Sequence, residues 1–146
     1  MVVGGEDGFG EEMQKGFAAA DELEAYTSLY RLVLVSYGHR CALTGARFAA
    51  PNLSLHPDLD VTAIRPREQG GPLTIANYLP MLHSLTPAFR DGLITIADDF
   101  RILVPHPDLL DRDTLSALRT SLVLPEEPLR PGAEFLAHHR RFALGA

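Results

Sequence analysis

Tryptophan is absent, cysteine occurs once, at Cys41, and lysine once, at Lys15. One thiol excludes an internal disulfide and any multi-cysteine zinc site; a lone Cys in this setting reads as a small core hydrophobe. No apolar run approaches the roughly 18–20 residues a membrane span requires, which excludes a transmembrane chain. The opening stretch MVVGGEDGFGEEMQKG is acidic and lacks a basic region followed by an apolar one. It is unlike a secretory signal, so a cytoplasmic location is expected. A phosphate-cradling loop is also missing: Gly70–Gly71 is too short, and GGEDGFG at 4–10 has neither the strand nor the helix such a loop needs. No Ser–His–Asp spacing stands out and no long-period repeat is present. HPDL occurs at 56–59 and again at 106–109, both times in a proline-rich turn.

What is present is an ordinary globular mixture. The 146 residues are 46% hydrophobic and 22% charged, enough for one domain with its own core. The net charge of −6 is unevenly spread. Residues 1–24 hold seven acids against Lys15, so that segment alone carries −6. The remainder balances twelve acids with twelve bases, all arginine. An acidic arm on a neutral, arginine-only body is not the footprint of a non-specific nucleic-acid binder, although arginine suits local phosphate contacts.

Glycine-rich residues 1–20 read as a flexible acidic arm, and 21–146 as a single domain. Asp21 and Glu24 have capping-box spacing. Leu23, Tyr26, Tyr30, Val33, Leu34 and Tyr37 recur on one helical face, and Gly38 suits a C-cap, which predicts a helix over 21–37. His39–Gly45 reads as a short strand into a turn, 46–57 as a long loop with Pro51 and Asn52, and Leu59–Ile64 as a strand. A turn-rich loop follows at 68–72. Thr74–Leu82 and Thr86–Phe89 read as one helical region bent at Pro80 and Pro87. Leu93–Ala97 and Phe100–Val104 predict a hairpin across Asp98–Asp99. A short helix over Asp113–Leu118 takes Asp111 or Asp113 as its cap. Ser121–Leu124 is a predicted strand, and Pro131–Phe142 a final helix with Pro131 in its first turn. The order is that of a mixed α+β domain. The expected core is Tyr26, Tyr30, Val33, Leu34, Val61, Ile64, Leu79, Leu82, Phe89, Ile94, Ile96, Ile102 and Val104.

Seven stretches, in this order, carry a family resemblance: RLVLVSYGHRCALTG (31–45), LDVTAIRP (59–66), GG (70–71), NYLPML (77–82), AFRDGLITI (88–96), LVLPEEPLRP (122–131) and FLAHHRRF (135–142). Together they resemble the HNH nuclease family, in the variety found in bacterial predicted restriction endonucleases. The resemblance implies a ββα-metal core with flanking helices and an extra β-hairpin. It also implies a divalent-metal mechanism: a His at the end of the first motif strand as general base, an Asn that holds it, and a second His on the motif helix as metal ligand.

Carried onto this chain, the family positions fall on Thr62, Ala63, Asn77, Leu85 and Thr86. Ala63 stands where the general base is expected and has no proton acceptor. Thr62 replaces a neighbouring ligand, and neither Leu85 nor Thr86 replaces the helical His. Asn77 alone matches. The resemblance therefore implies a catalytically degenerate nuclease-like binding module with no metal and no cofactor. The alternative is an active endonuclease with relocated ligands drawn from His56, Asp58, Asp60 and His83, binding Mg²⁺ or another divalent ion. In the family the motif face meets the DNA backbone, which makes Arg40, Arg47, Arg65, Arg67 and Arg90 the DNA-contacting candidates. Their alternative is solvation or pairing with Asp60, Glu68 and Asp91. The expected partner is DNA, or a protein through the acidic arm; that arm could also lie on the arginines as a nucleic-acid mimic. His138, His139, Arg140 and Arg141 form a basic run near a helix end, which the helix dipole favours without any partner.

Overall fold

A computed structural model describes residues 21–49 and 56–145. The predicted arm at 1–20 and the loop residues Pro51 and Asn52 lie outside the described residues. Helix α1 covers 21–36. It is followed by β1 (Leu59–Ala63), β2 (Tyr78–Leu82), α2 (Thr86–Arg90), β3 (Thr95–Ile96), β4 (Ile102–Leu103), α3 (Arg112–Ala117) and α4 (Ala133–Leu144). The fold is mixed α+β with two small antiparallel sheets, β1–β2 and β3–β4. Among the described residues no helix is long and apolar enough to cross a membrane.

Helix α1 ends as its sequence requires. Gly38 takes φ 64°, its N–H donates to Val35 O and the His39 N–H donates to Leu34 O, which closes the last turn in a Schellman motif. Leu29, Tyr30, Val33, Leu34 and Tyr37 are buried. Leu23, assigned to the same face from its spacing, is 67% exposed: it lies in the first turn, before α1 meets the core. The two tyrosines blunt the free edge of β1. Tyr26 Oη donates to Val61 O (3.3 Å), and Tyr30 Oη donates to Leu59 O (3.5 Å) while accepting the His56 N–H (2.6 Å).

The stretch 74–82 corrects the sequence reading. Tyr78–Leu82 is a strand, paired with β1 from Leu59↔Leu82 to Ala63↔Tyr78. Its first four residues are all buried, so no alternation marks it as a strand, and its apolar run mimics a helical stripe. Pro80 is tolerated because of the register. The ladder bonds Ile64 N–H to Asn77 O and His83 N–H to Asp58 O fall on alternate positions, so Pro80, opposite Val61, needs no N–H toward β1. Its carbonyl, on the outer edge, accepts from Ala42 N–H (2.8 Å). The predicted strand at 39–45 is a tight turn with one bridge, Arg40↔Arg47.

The second sheet matches the predicted hairpin but is shorter, with Thr95↔Leu103 and Ile96↔Ile102 in register. Ile94 and Ile96 are buried, while Ile102 and Val104 are half-buried, as are Tyr26 and Leu82; all four were expected inside. Ser121–Leu124 keeps one bridge, Arg101↔Ser121, rather than forming a strand. Helix α3 is capped by Asp111, whose Oδ1 accepts from Thr114 N–H at 2.6 Å. Helix α4 begins two residues later than expected, with Gly132 as N-cap and Pro131 outside the first turn.

Helix α4 also corrects the reading of its basic run. His139 is buried, 6% exposed, and stacks on Phe89 with ring centroids 4.0 Å apart. Its Nδ1 is 2.7 Å from Thr95 Oγ1 and its Nε2 2.8 Å from Phe89 O. The carbonyl can only accept, so Nε2 carries the proton and Nδ1 accepts from the threonine. Burial pushes this imidazole below the ordinary histidine value. Arg140 donates to Ile96 O (2.9 Å) and pairs with Asp98 (2.7 Å). The run is thus largely a seam between α4 and β3, not a surface cluster.

Candidate functional site

The resemblance points to the junction of β1, the segment after it, and α2. Asn77 organises this junction. It is fully buried at the end of the 3-10 turn Ile75–Asn77. Its Oδ1 accepts from Arg65 N–H (2.9 Å), and its Nδ2 donates to Arg65 O (3.0 Å) and Pro72 O (3.1 Å). The loop from Arg65 to Pro72 is thereby held against β2. Gly71 is needed there: a Cβ would meet Arg65 O at 1.8 Å, and no side chain fits. Ala63, paired with Tyr78, is the strand neighbour of this clamp, so Ala63 and Asn77 lie on one edge of the site.

On the other side of β1, helix α1, β1 and α2 border an open cavity of about 570 Å³. Its walls include Tyr26, Asp60, Thr62, His83, Thr86 and Arg90. Asp60 is the hub. Its Oδ2 lies 2.9 Å from His83 Nδ1 and accepts from Thr86 Oγ1 at 2.7 Å. The position expected for the helical ligand, Thr86, is therefore a strand-to-helix tie. Leu85 is buried in the core. Thr62 is 2% exposed, and its hydroxyl has no hydrogen-bond partner among the described residues.

Of the relocated ligand set, His83 and Asp60 are brought together. His56 lines the same cavity but spends Nδ1 on the N–H groups of Asp58 (3.0 Å) and Leu59 (3.2 Å). Burial also lowers its proton affinity. Asp58 is exposed and does not line the cavity. Among the described residues no three His, Cys, Asp or Glu side chains are grouped to hold a metal ion.

The arginines separate into two places. Arg67 and Arg90 share a smaller groove of about 280 Å³ with Tyr26, Tyr78, Leu73 and Glu68, and Arg90 also lines the larger cavity. Arg65 is next to this groove in sequence but bends back, its Nε donating to Gln69 O at 2.7 Å. Arg40 and Arg47 sit on the turn after α1, with Arg40 Nε donating to Tyr37 O at 3.1 Å. Of the alternative pairings with Asp60, Glu68 and Asp91, none forms among the described residues. Arg67 instead pairs with Glu22 of α1 at 2.6 Å, both side chains being over half exposed. Burial raises the phenol pKa of Tyr26 and Tyr78, so both stay protonated as neutral walls of the groove.

Sequence reasoning missed the part played by Tyr26 and the Asp60–Thr86 bond. The helical stripe marks Tyr26 only as core; its hydroxyl bond to β1 depends on the register of α1 on that strand. Asp60 and Thr86 are 26 residues apart, and nothing local announces their contact.

No protein-family model matches the chain, and no curated protein does. Among solved structures it is similar to a modification-dependent TagI restriction endonuclease, with a TM-score of 0.51 and 21% identity over 77% of this chain. The match spans 36% of that endonuclease's length. What the two share is a fold, which takes up only part of that endonuclease's chain.

Proposed function

We propose that this domain is a catalytically degenerate, HNH-like member of the restriction-endonuclease world that binds DNA without hydrolysing it. The observation that carries the reading is the pairing of a kept scaffold with altered chemistry. Asn77 still clamps the loop after β1, while Ala63 offers no base and Thr86 is tied to Asp60. Phosphodiester hydrolysis needs an activated water and stabilisation of the charge developing on the phosphate. Ala63 cannot supply the first. DNA is preferred over a protein partner because Arg67 and Arg90 border one groove beside two aromatic rings, and because a similar solved structure is a restriction endonuclease.

The second reading, a metal-dependent endonuclease with moved ligands, draws on one observation, the 2.9 Å approach of His83 to Asp60. Plasmid cleavage with Mg²⁺, Mn²⁺, Ni²⁺ and Zn²⁺, with metal content measured on the same preparation, separates the two. Binding without cleavage is expected with all four ions. Ala63→His alone is expected to leave the protein inactive, because the helical ligand at Thr86 would still be missing. Cleavage by the unaltered protein, abolished by Asp60→Asn and by His83→Ala, would establish the second reading.

A further inference from the structure

The Asp60 cavity contains an arrangement that DNA binding leaves unused. His83 Nδ1 faces the Asp60 carboxylate at 2.9 Å, and the Thr86 hydroxyl anchors the same oxygen at 2.7 Å. A carboxylate can only accept, so the imidazole proton sits on Nδ1 and Nε2 is left as the free basic nitrogen. The His83 side chain is 81% exposed, open to a large substrate. Arg90 follows Thr86 by four residues, on the same face of α2, and lines the same cavity. His83, in the 3-10 turn before α2, and Arg90, at the end of α2, thus border one cavity in which a phosphodiester could sit.

We propose that Asp60 and His83 form a metal-independent general-base dyad, with Arg90 as the phosphate anchor, and that the substrate class it fits is RNA. A positioned base alone contributes about 10²–10⁴-fold, which is far too little for attack of external water on DNA. RNA carries its own nucleophile. The 2′-hydroxyl stands beside the phosphate, and intramolecular attack gains the advantage that effective molarities of up to about 10⁵–10⁸ M describe. In the step, His83 Nε2 removes the 2′-hydroxyl proton, the 2′-oxygen bonds to phosphorus, and the bond from phosphorus to the 5′-oxygen breaks. The departing 5′-oxygen takes a proton from water, and the imidazolium returns its proton to the hydroxide formed. The products are a 2′,3′-cyclic phosphate and a 5′-hydroxyl. Arg90 faces the charge that grows on the non-bridging oxygens. Asp60 is a positioning residue that also stabilises the imidazolium.

This inference rests on the proposed function only in placing nucleic acid over Arg90. The test uses the full chain, EDTA, a single-stranded RNA oligonucleotide, its all-deoxy counterpart, and an RNA with one 2′-deoxy substitution. Cleavage of the RNA alone is expected, with a cyclic phosphate end and none at the deoxy position. His83→Ala, at an exposed site, should lose about 100-fold or more with the fold intact. Arg90→Ala should raise KM and lower kcat. Asp60→Asn should lower kcat with KM unchanged and Asp60→Glu should partly restore it, a split that a purely structural role would not produce. RNA left intact in EDTA, or cleaved equally by His83→Ala, would overturn the dyad. Duplex DNA binding measured on the same preparation reports separately on the proposed function.

Discussion

Asn77 grips both backbone groups of Arg65, accepting its N–H at 2.9 Å and donating to its carbonyl at 3.0 Å. Asn77 thereby holds the loop that carries Arg65 and Arg67. Asn77→Ala leaves these part-buried groups, together with Pro72 O, without that partner. Each unsatisfied buried group costs about 1–3 kcal/mol. Urea denaturation should show a loss of about 2–4 kcal/mol, and Asn77→Asp, which cannot donate, should not rescue it.

Helix α1 tests the core assignment through two leucines two residues apart. Leu34 is 3% exposed and Leu32 is 48% exposed. Leu34→Ala should cost about 2–5 kcal/mol in chemical denaturation, whereas Leu32→Ala should stay within about 0.5 kcal/mol. Equal losses would put the wrong face of α1 against β1.

Much of this was legible in the sequence, for identifiable reasons. Helix α1 has a 3.6-residue stripe and a glycine stop, the β3–β4 hairpin has a polar Asp98–Asp99 turn, and Asp111 caps α3 as its position suggests. The strand at Tyr78–Leu82 was not legible, because it is buried on both faces and contains proline. Asn77 stands out in the sequence only through the resemblance, which says nothing of its hold on Arg65. The Asp60 hub, with His83 and Thr86, was only half visible: Asp60 and His83 entered as relocated ligands, and Thr86 as an empty position. His139 was read as part of a charged run, although its spacing four residues from Phe135 already placed it on the buried stripe of α4.

The buried His139 predicts an acid limit to stability. Desolvation depresses its folded-state pKa below the unfolded value of about 6.5. The unfolded chain therefore binds the proton first, so the stabilising contribution is complete above about pH 6.5 and is lost as pH falls through the folded pKa. His56 and His138 are shifted in the same direction, also chiefly by desolvation. Thermal midpoints should fall between pH 7 and pH 5. His139→Gln should flatten that slope without abolishing it, while lowering stability at pH 7.

The acidic arm predicts a charge effect on binding. Glu22 already occupies Arg67 at 2.6 Å. Deleting residues 1–20 removes Glu6, Asp7, Glu11, Glu12 and Lys15, raising the net charge by 3. Affinity for duplex DNA at low salt should tighten several-fold, and Glu22→Gln should add to it. An unchanged affinity in both variants would show that the acids do not shield the groove.

The most direct test of binding without cleavage is a titration of a short DNA duplex, followed by fluorescence anisotropy from about 50 to about 200 mM salt. Phosphate contacts release counterions, so affinity should fall steeply with salt. Arg67→Ala with Arg90→Ala should reduce the slope of log K against log salt by about 2. Intact duplex recovered in Mg²⁺ after such binding is the predicted result. No binding at about 50 mM salt, or a slope that ignores both arginines, would contradict the account.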